Sequence, residues 1–160
     1  MVTADPFPLS RALLEAVLED RTNDRFVCEM VWRRLGYAPD PGHSQALQPS
    51  RWSAGPATPA AWAEAFPLAP EVIAERPASV ALTRSVSAQY KQLLKQQLGF
   101  SGYRIGELTP RRTRRATAVN WLLSHLAERG DPLPETGPMP PLLEPPEDPR
   151  LGHPGDPPVL

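Results

Sequence analysis

Apolar residues recur at helical spacing almost from the start of the chain. Leu13, Leu14, Val17 and Leu18 fall on one face after Pro8 and Ser10, which predicts an amphipathic helix behind a cap. The polar stretch 20–24 interrupts it and offers Thr22 or Asn23 as the next N-cap. Val27, Met30, Val31 and Leu35 then mark a second helix, with Cys28 and Trp32 broadening its apolar face and Gly36 able to supply a left-handed stop. The two helices read as a hairpin with a short connection.

Residues 38–57 break this rhythm with Pro39, Pro41, Gly42, Pro49, Gly55 and Pro56. A loop of that length is unusual inside a domain, so Trp52 is expected to anchor it on the core, through a short strand pair. Thr58-Pro59 is a cap followed by a first-turn proline, opening a short helix to Phe66 that Pro67 ends. Residues 70–74 add one more turn. Residues 79–86 alternate with period two and are enriched in β-formers, which predicts a strand. Ser87 caps a helix with Tyr90, Leu93, Leu94 and Leu98 inward, Lys91 and Lys95 outward, and Gly99 as its stop. Residues 103–105 are a second short strand. Thr109-Pro110 opens a last helix with Ala116, Val119, Leu122, Leu123 and Leu126 on one face, ended by Gly130. The expected fold is α+β: a mainly helical single domain over 1–130 with a short strand pair, all-α being the alternative.

Composition matters most beyond residue 130. Eleven of the 22 prolines fall in residues 131–160, with no aromatic residue among them. Such a segment buries too little surface to offset its ordering entropy, so a disordered, polyproline-like tail is expected. It carries six acids against one base, and residues 138–141 could serve as a proline-motif ligand. The other 130 residues hold all eleven aromatics, enough for one core. A single cysteine excludes an internal disulfide and a four-cysteine zinc site. No apolar run approaches the roughly 18 residues of a membrane span, and residues 1–10 lack the basic and apolar regions of a secretory signal, so a soluble, cytoplasmic chain is expected.

The formal net charge of −1 hides a strong asymmetry. Residues 1–76 carry seven bases and ten acids. Residues 77–118 carry eight bases (Arg84, Lys91, Lys95, Arg104, Arg111, Arg112, Arg114, Arg115) and one acid, Glu107. An acidic half, a basic block and an acidic tail follow one another.

Catalytic chemistry is sparse. His43, His125 and His153 have no carboxylate or cysteine at ligand spacing, and His125 is placed to pack on Trp121 one turn earlier. Cys28, among Phe26, Val27 and Met30, reads as a small buried hydrophobe. Glu15, Glu19 and Asp24 read as solvated helical carboxylates. Gly99 to Gly102 matches a GXXG loop, but that nucleotide-clamping module needs a helix next, whereas the following residues read as extended; a helix stop and turn explains the glycines. No catalytic residue, cofactor or metal is assigned.

The strongest feature is Thr109-Pro110-Arg111-Arg112-Thr113-Arg114-Arg115, which puts four cations in the first two turns of a helix. The helix dipole disfavours cations there, and a bound anion would reverse the sign by satisfying both the backbone donors and the guanidinium forks. Arg111, Arg114 and Arg115 are the expected phosphate contacts. Lys91, Lys95 and Arg104 would extend the positive surface, and Phe100 and Tyr103 could stack on bases. Alternatively the block is a solvated cationic face, or Arg112 and Arg115 pair with the acidic half of the chain.

Several runs carry a family resemblance: Glu75-Arg76-Pro77-Ala78, Leu82-Thr83-Arg84-Ser85, Lys91-Gln92-Leu93-Leu94-Lys95, Leu98-Gly99-Phe100, Ile105-Gly106-Glu107 and the segment 111–123. With Val31-Trp32 and Leu35-Gly36-Tyr37 they resemble a small cyanobacterial family, domain of unknown function 1823, over roughly residues 9–128. The resemblance implies a cyanobacterial protein and no activity. The expectation is a non-enzymatic binding protein for an anionic macromolecule, RNA or DNA slightly favoured over an acidic protein surface. The alternative is a protein–protein adaptor or assembly factor linked, through the resemblance, to photosynthetic physiology.

Overall fold

The computed structural model describes residues 7–41 and 51–160. Helix α1 (Arg11–Leu18) starts where the Ser10 side chain accepts from the Leu13 N–H, and it buries Leu13, Leu14, Val17 and Leu18. Asp20 closes it with φ +63, a left-handed conformation that aspartate tolerates better than most residues. Helix α2 (Asp24–Arg34) is capped by Asn23, whose Oδ1 accepts from the Phe26 N–H at 2.8 Å. Asn23 is therefore the cap, and Thr22 is left free for another role.

Gly36, at φ +87, turns the chain out of α2. A Cβ there would meet the Thr58 backbone nitrogen at 2.8 Å, so the position needs glycine for both conformation and space. Strands β1 (Ala38–Pro39) and β2 (Trp52–Ser53) pair antiparallel, Ala38 opposite Ser53 and Pro39 opposite Trp52. This is the short pair expected around Trp52, which is buried against Trp32 with ring centroids 5.5 Å apart. His43, Gly42 and Pro49 of the predicted loop lie outside the described residues. Helix α3 (Ala60–Ala65) follows, and the Tyr37 hydroxyl donates to the Phe66 carbonyl at 2.7 Å, tying the helix back to the end of α2.

Two predicted strands are corrected. Residues 79–86 lie largely in helix α4 (Arg76–Ser85), and residues 103–105 form no strand; a single 3₁₀ turn covers Ile105–Glu107. The alternation in 79–86 is real but short. Ala78, Leu82 and Val86 also stand four residues apart, all three are buried, and Pro77 in the first turn favours the helix. A 3₁₀ turn (Ala88–Tyr90) and helix α5 (Leu93–Leu98) replace the single helix expected after Ser87, and Gly99 ends α5 at φ +66. Helix α6 (Pro110–Arg129) runs from its Thr109 cap to Gly130 at φ +70, as its pattern predicts. It is the axis of the domain: α1, α2, α4 and α5 each pack on it. The architecture is mainly helical with one two-stranded sheet, which is α+β.

Residues 131–160, the expected disordered tail, form no helix or strand and make specific hydrogen bonds with the domain. Pro134 and Glu135 carbonyls accept from Arg11 and Ala12, supplying the first turn of α1 with acceptors. Leu143 exchanges hydrogen bonds with Arg21, Leu160 N–H donates to Ala74, and His153 is buried. Asp156 and His153 find specific partners on the domain, which a count of prolines does not weigh.

Candidate functional site

The first turns of α6 deliver the arginine block to two different places. Arg111 and Arg115, four residues apart, point inward and are 1% and 0% exposed; Arg112 is 9% exposed. They meet two aspartates that are also four residues apart. Arg111 Nη1 and Nη2 donate to Asp20 at 2.6 and 2.8 Å, a bidentate pair, and its Nε donates to Asp24 at 3.0 Å. Arg112 Nε donates to Asp20 at 3.1 Å. Arg115 Nη1 donates to Asp24 at 2.8 Å, while its Nη2 donates to Thr22 Oγ1 at 2.9 Å and the Val17 carbonyl at 3.0 Å.

Arg111 and Arg115, two of the expected phosphate contacts, are buried and paired within the chain, and for Arg112 and Arg115 this is the alternative of pairing with the acidic half. The anion that reverses the unfavourable helix-end charge is intrachain, supplied by the acidic half of the protein. Burial pushes the Asp20 carboxyl up, but the Arg111 hydrogen bond and the charges of Arg115 and Arg111 outweigh it and hold the group below its ordinary value. Asp24 goes the other way: burial dominates, and the Asp156 charge offsets part of what Arg111 and Arg115 contribute, leaving it raised. Asp20 was missed, and Asp24, expected as a solvated helical carboxylate, is instead fully buried against Arg111 and Arg115. Their matching four-residue spacing, Asp20/Asp24 against Arg111/Arg115, was the available signal.

Arg114 faces the opposite side. Its Nη1 donates to the Ile73 and Ala74 carbonyls at 3.0 Å and its Nη2 to Leu160 at 2.9 Å. It borders a groove of about 640 Å³ between α4 and the start of α6, lined by Arg76, Thr83, Arg84, Leu108 and Thr113 among others, with no carboxylate in the lining. Arg76 and Arg84 join no ion pair among the described residues, whereas the Arg114 guanidinium is held by the Ile73, Ala74 and Leu160 oxygens. Burial, and after it the neighbouring Arg76 charge, lower the Arg114 pKa. Lys91 lies beside this groove, its Nζ donating to the Thr83 carbonyl at 2.7 Å. Lys95 is exposed on α5.

Arg104 is not part of the same surface. It borders a second groove, of about 620 Å³, together with Glu15, Glu19 and Glu107. Phe100 and Tyr103 are there too, but their rings pack edge to face at 5.0 Å and the Tyr103 hydroxyl donates to Leu18 at 2.8 Å. Burial pushes that hydroxyl up to about 12. The aromatics expected to stack on bases thus pack against each other at the edge of this groove. His125 stacks on Trp121 at 5.5 Å, as its spacing predicts.

The fold and these surfaces define a small helical domain closed by a buried arginine–aspartate cluster, with a basic groove outside it. The chain belongs to the family described as domain of unknown function (DUF1823), whose model matches residues 8–127. No curated protein matches it. A solved structure titled "Solution NMR structure of the protein" is 42% identical, covers 78% of this chain and 98% of its own length, and superposes with a TM-score of 0.64. Among the described residues no helix is long and apolar enough to cross a membrane.

Proposed function

We propose that this is a non-enzymatic binding protein that holds an acidic, partly apolar segment of a partner protein in the groove between α4 and the start of α6. The carrying observation is the set of three guanidiniums, Arg76, Arg84 and Arg114, that border this groove without a carboxylate, next to Leu108, which is 55% exposed. Cations that meet no side-chain carboxylate in the groove, beside exposed apolar surface, suit a partner with both acids and hydrophobic side chains. Lys91 extends the charge along the C-terminal end of α4. The nucleic-acid reading loses ground because Arg111 and Arg115 are spent on Asp20 and Asp24, and Phe100 and Tyr103 on each other.

The test is fluorescence anisotropy with three labelled probes: a helical peptide of alternating Glu and Leu faces, a single-stranded RNA and a duplex DNA. Peptide binding that falls at least tenfold in an Arg76→Glu, Arg84→Glu variant of unchanged circular dichroism is the expected result. Binding of the nucleic acids instead, with affinity falling steeply in log salt, would shift the assignment to a phosphate backbone. No binding of any probe at low salt would overturn the groove as an anion-binding surface.

A further inference from the structure

The segment 148–160 is fitted to the buried cluster in three ways. Gly152 has φ +79, and a Cβ there would stand 2.5 Å from Arg111 Nε and 2.6 Å from Asp156 Oδ2, so its backbone lies directly against the guanidinium. His153 is buried, and its Nε2 faces two acceptors of Asp20, the carbonyl oxygen at 2.8 Å and Oδ1 at 3.2 Å, so this nitrogen carries the donated proton. Asp156 Oδ1 accepts from the Asp24 N–H in the first turn of α2 at 2.9 Å. Its Oδ2 accepts from Arg111 Nη2 at 3.2 Å and from the His153 N–H at 2.8 Å.

Charge counting adds a fourth point. Within the family segment, three guanidiniums (Arg111, Arg112, Arg115) meet two carboxylates (Asp20, Asp24); the third carboxylate is Asp156, from beyond it. The solved relative is spanned almost completely by 78% of this chain, so a domain of this family is built from less than the whole of it. Without Asp156 the pocket holds one excess positive charge, and the Asp24 N–H at the start of α2 loses its side-chain acceptor.

We propose that the Arg111 pocket at the start of α2 is a binding site for a carboxylate-bearing peptide, and that residues 148–160 are its resident occupant, docked on the domain rather than integral to its core. The recognition elements are a glycine that permits close approach, a histidine N–H donor aimed at Asp20, and an aspartate three residues further on that bridges Arg111 and the α2 N-terminus. Release of the segment would also free Leu160 from Ala74 and from Arg114. This inference stands independently of what the α4–α6 groove binds.

The experiment places a specific protease site at residues 144–147 of the full chain, cuts it after folding, and separates the pieces by gel filtration. A labelled 148–160 peptide is then titrated onto the cut domain. The expected result is saturable rebinding, weakened at least tenfold by Asp156→Asn and by Gly152→Val in the peptide, and competed by inorganic phosphate or acetate. Absence of rebinding, equal binding of both peptide variants, or loss of helical circular dichroism on cutting would each overturn the proposal. In the uncut chain, Asp156→Ala, which removes the acceptor altogether, should accelerate hydrogen exchange at the Asp24 amide while the α6 amides keep their protection; an unchanged Asp24 rate would also refute it.

Discussion

Replacing Asp20 with Asn tests the buried cluster at its centre. The side chain keeps its shape, and asparagine tolerates φ +63 as well as aspartate does, so the backbone is undisturbed. The carboxylate accepts from Arg111 at 2.6 and 2.8 Å, from Arg112 at 3.1 Å and from His153 at 3.2 Å. The amide keeps one acceptor and turns an NH₂ donor toward guanidinium donors. Each lost charge-assisted bond is worth roughly 1.5–3 kcal/mol, and stranding a buried charge costs about 3–5 kcal/mol. These overlap rather than add, so a destabilisation of about 3–5 kcal/mol is expected, against a typical total of about 5–15 kcal/mol. The melting temperature should fall by about 10 °C or more. Urea denaturation followed by circular dichroism at pH 7 reads it directly. Because the Asp20 pKa is lowered on folding, its stabilisation is fully present above the ordinary value of 3.8 and is lost as pH falls through the lower folded value. The gap between wild type and Asp20→Asn should therefore stay constant from pH 7 to about pH 5 and close in stronger acid. Adding Arg112→Met, which removes the most exposed of the three guanidiniums, should recover part of the loss by rebalancing charge. A cost under about 1 kcal/mol for Asp20→Asn would refute the reasoning, since a dry, paired cluster cannot lose a central charge so cheaply.

The other expectations are simpler. Thr109→Ala removes the side-chain acceptor for the Arg112 N–H at 3.1 Å and should cost about 1 kcal/mol in chemical denaturation. Gly36→Ala forces a side chain into φ +87 and against the Thr58 backbone, so a loss of about 1–3 kcal/mol is expected, with near-ultraviolet circular dichroism reporting disturbed packing around Trp52. Leu82→Ala, at a fully buried site on α4, should cost about 2–5 kcal/mol by the same urea assay; a cost near zero would return residues 79–86 to the surface.

The helices that periodicity marks best are also those that the structure builds. Residues 110–129 carry a cap, a first-turn proline, an apolar stripe and a terminal glycine, and every one of those signals is used. Residues 79–86 show where such reading fails: a four-residue period of small and apolar residues competed with a two-residue one, and packing on α6 decided between them. The candidate site was half legible. That four arginines at a helix start need anions follows from electrostatics alone, but which anions depends on distance in space. Asp20 and Arg111 are 91 residues apart, and no local pattern brings them together. His153 and Asp156 were hidden by the surrounding prolines, whose composition argues for disorder while saying nothing of where single polar side chains dock.

That α6 is the axis of the domain has a consequence for how the protein is born. Helices α1, α2, α4 and α5 precede the helix each packs on, so during synthesis they emerge with their apolar stripes uncovered. At about 5–20 residues per second, the gap between Asp20 and Arg111 is several seconds of ribosome time. Until residues 110–129 clear the exit tunnel, α1 and α2 lack the helix they pack on, and the five bases and five acids of residues 11–34 are the charges that keep them hydrated. Asp20 and Asp24, buried in the finished fold, are then solvent-facing with the rest of their segment, and a ribosome stalled before residue 110 should display a chain that chaperones bind and proteases cut.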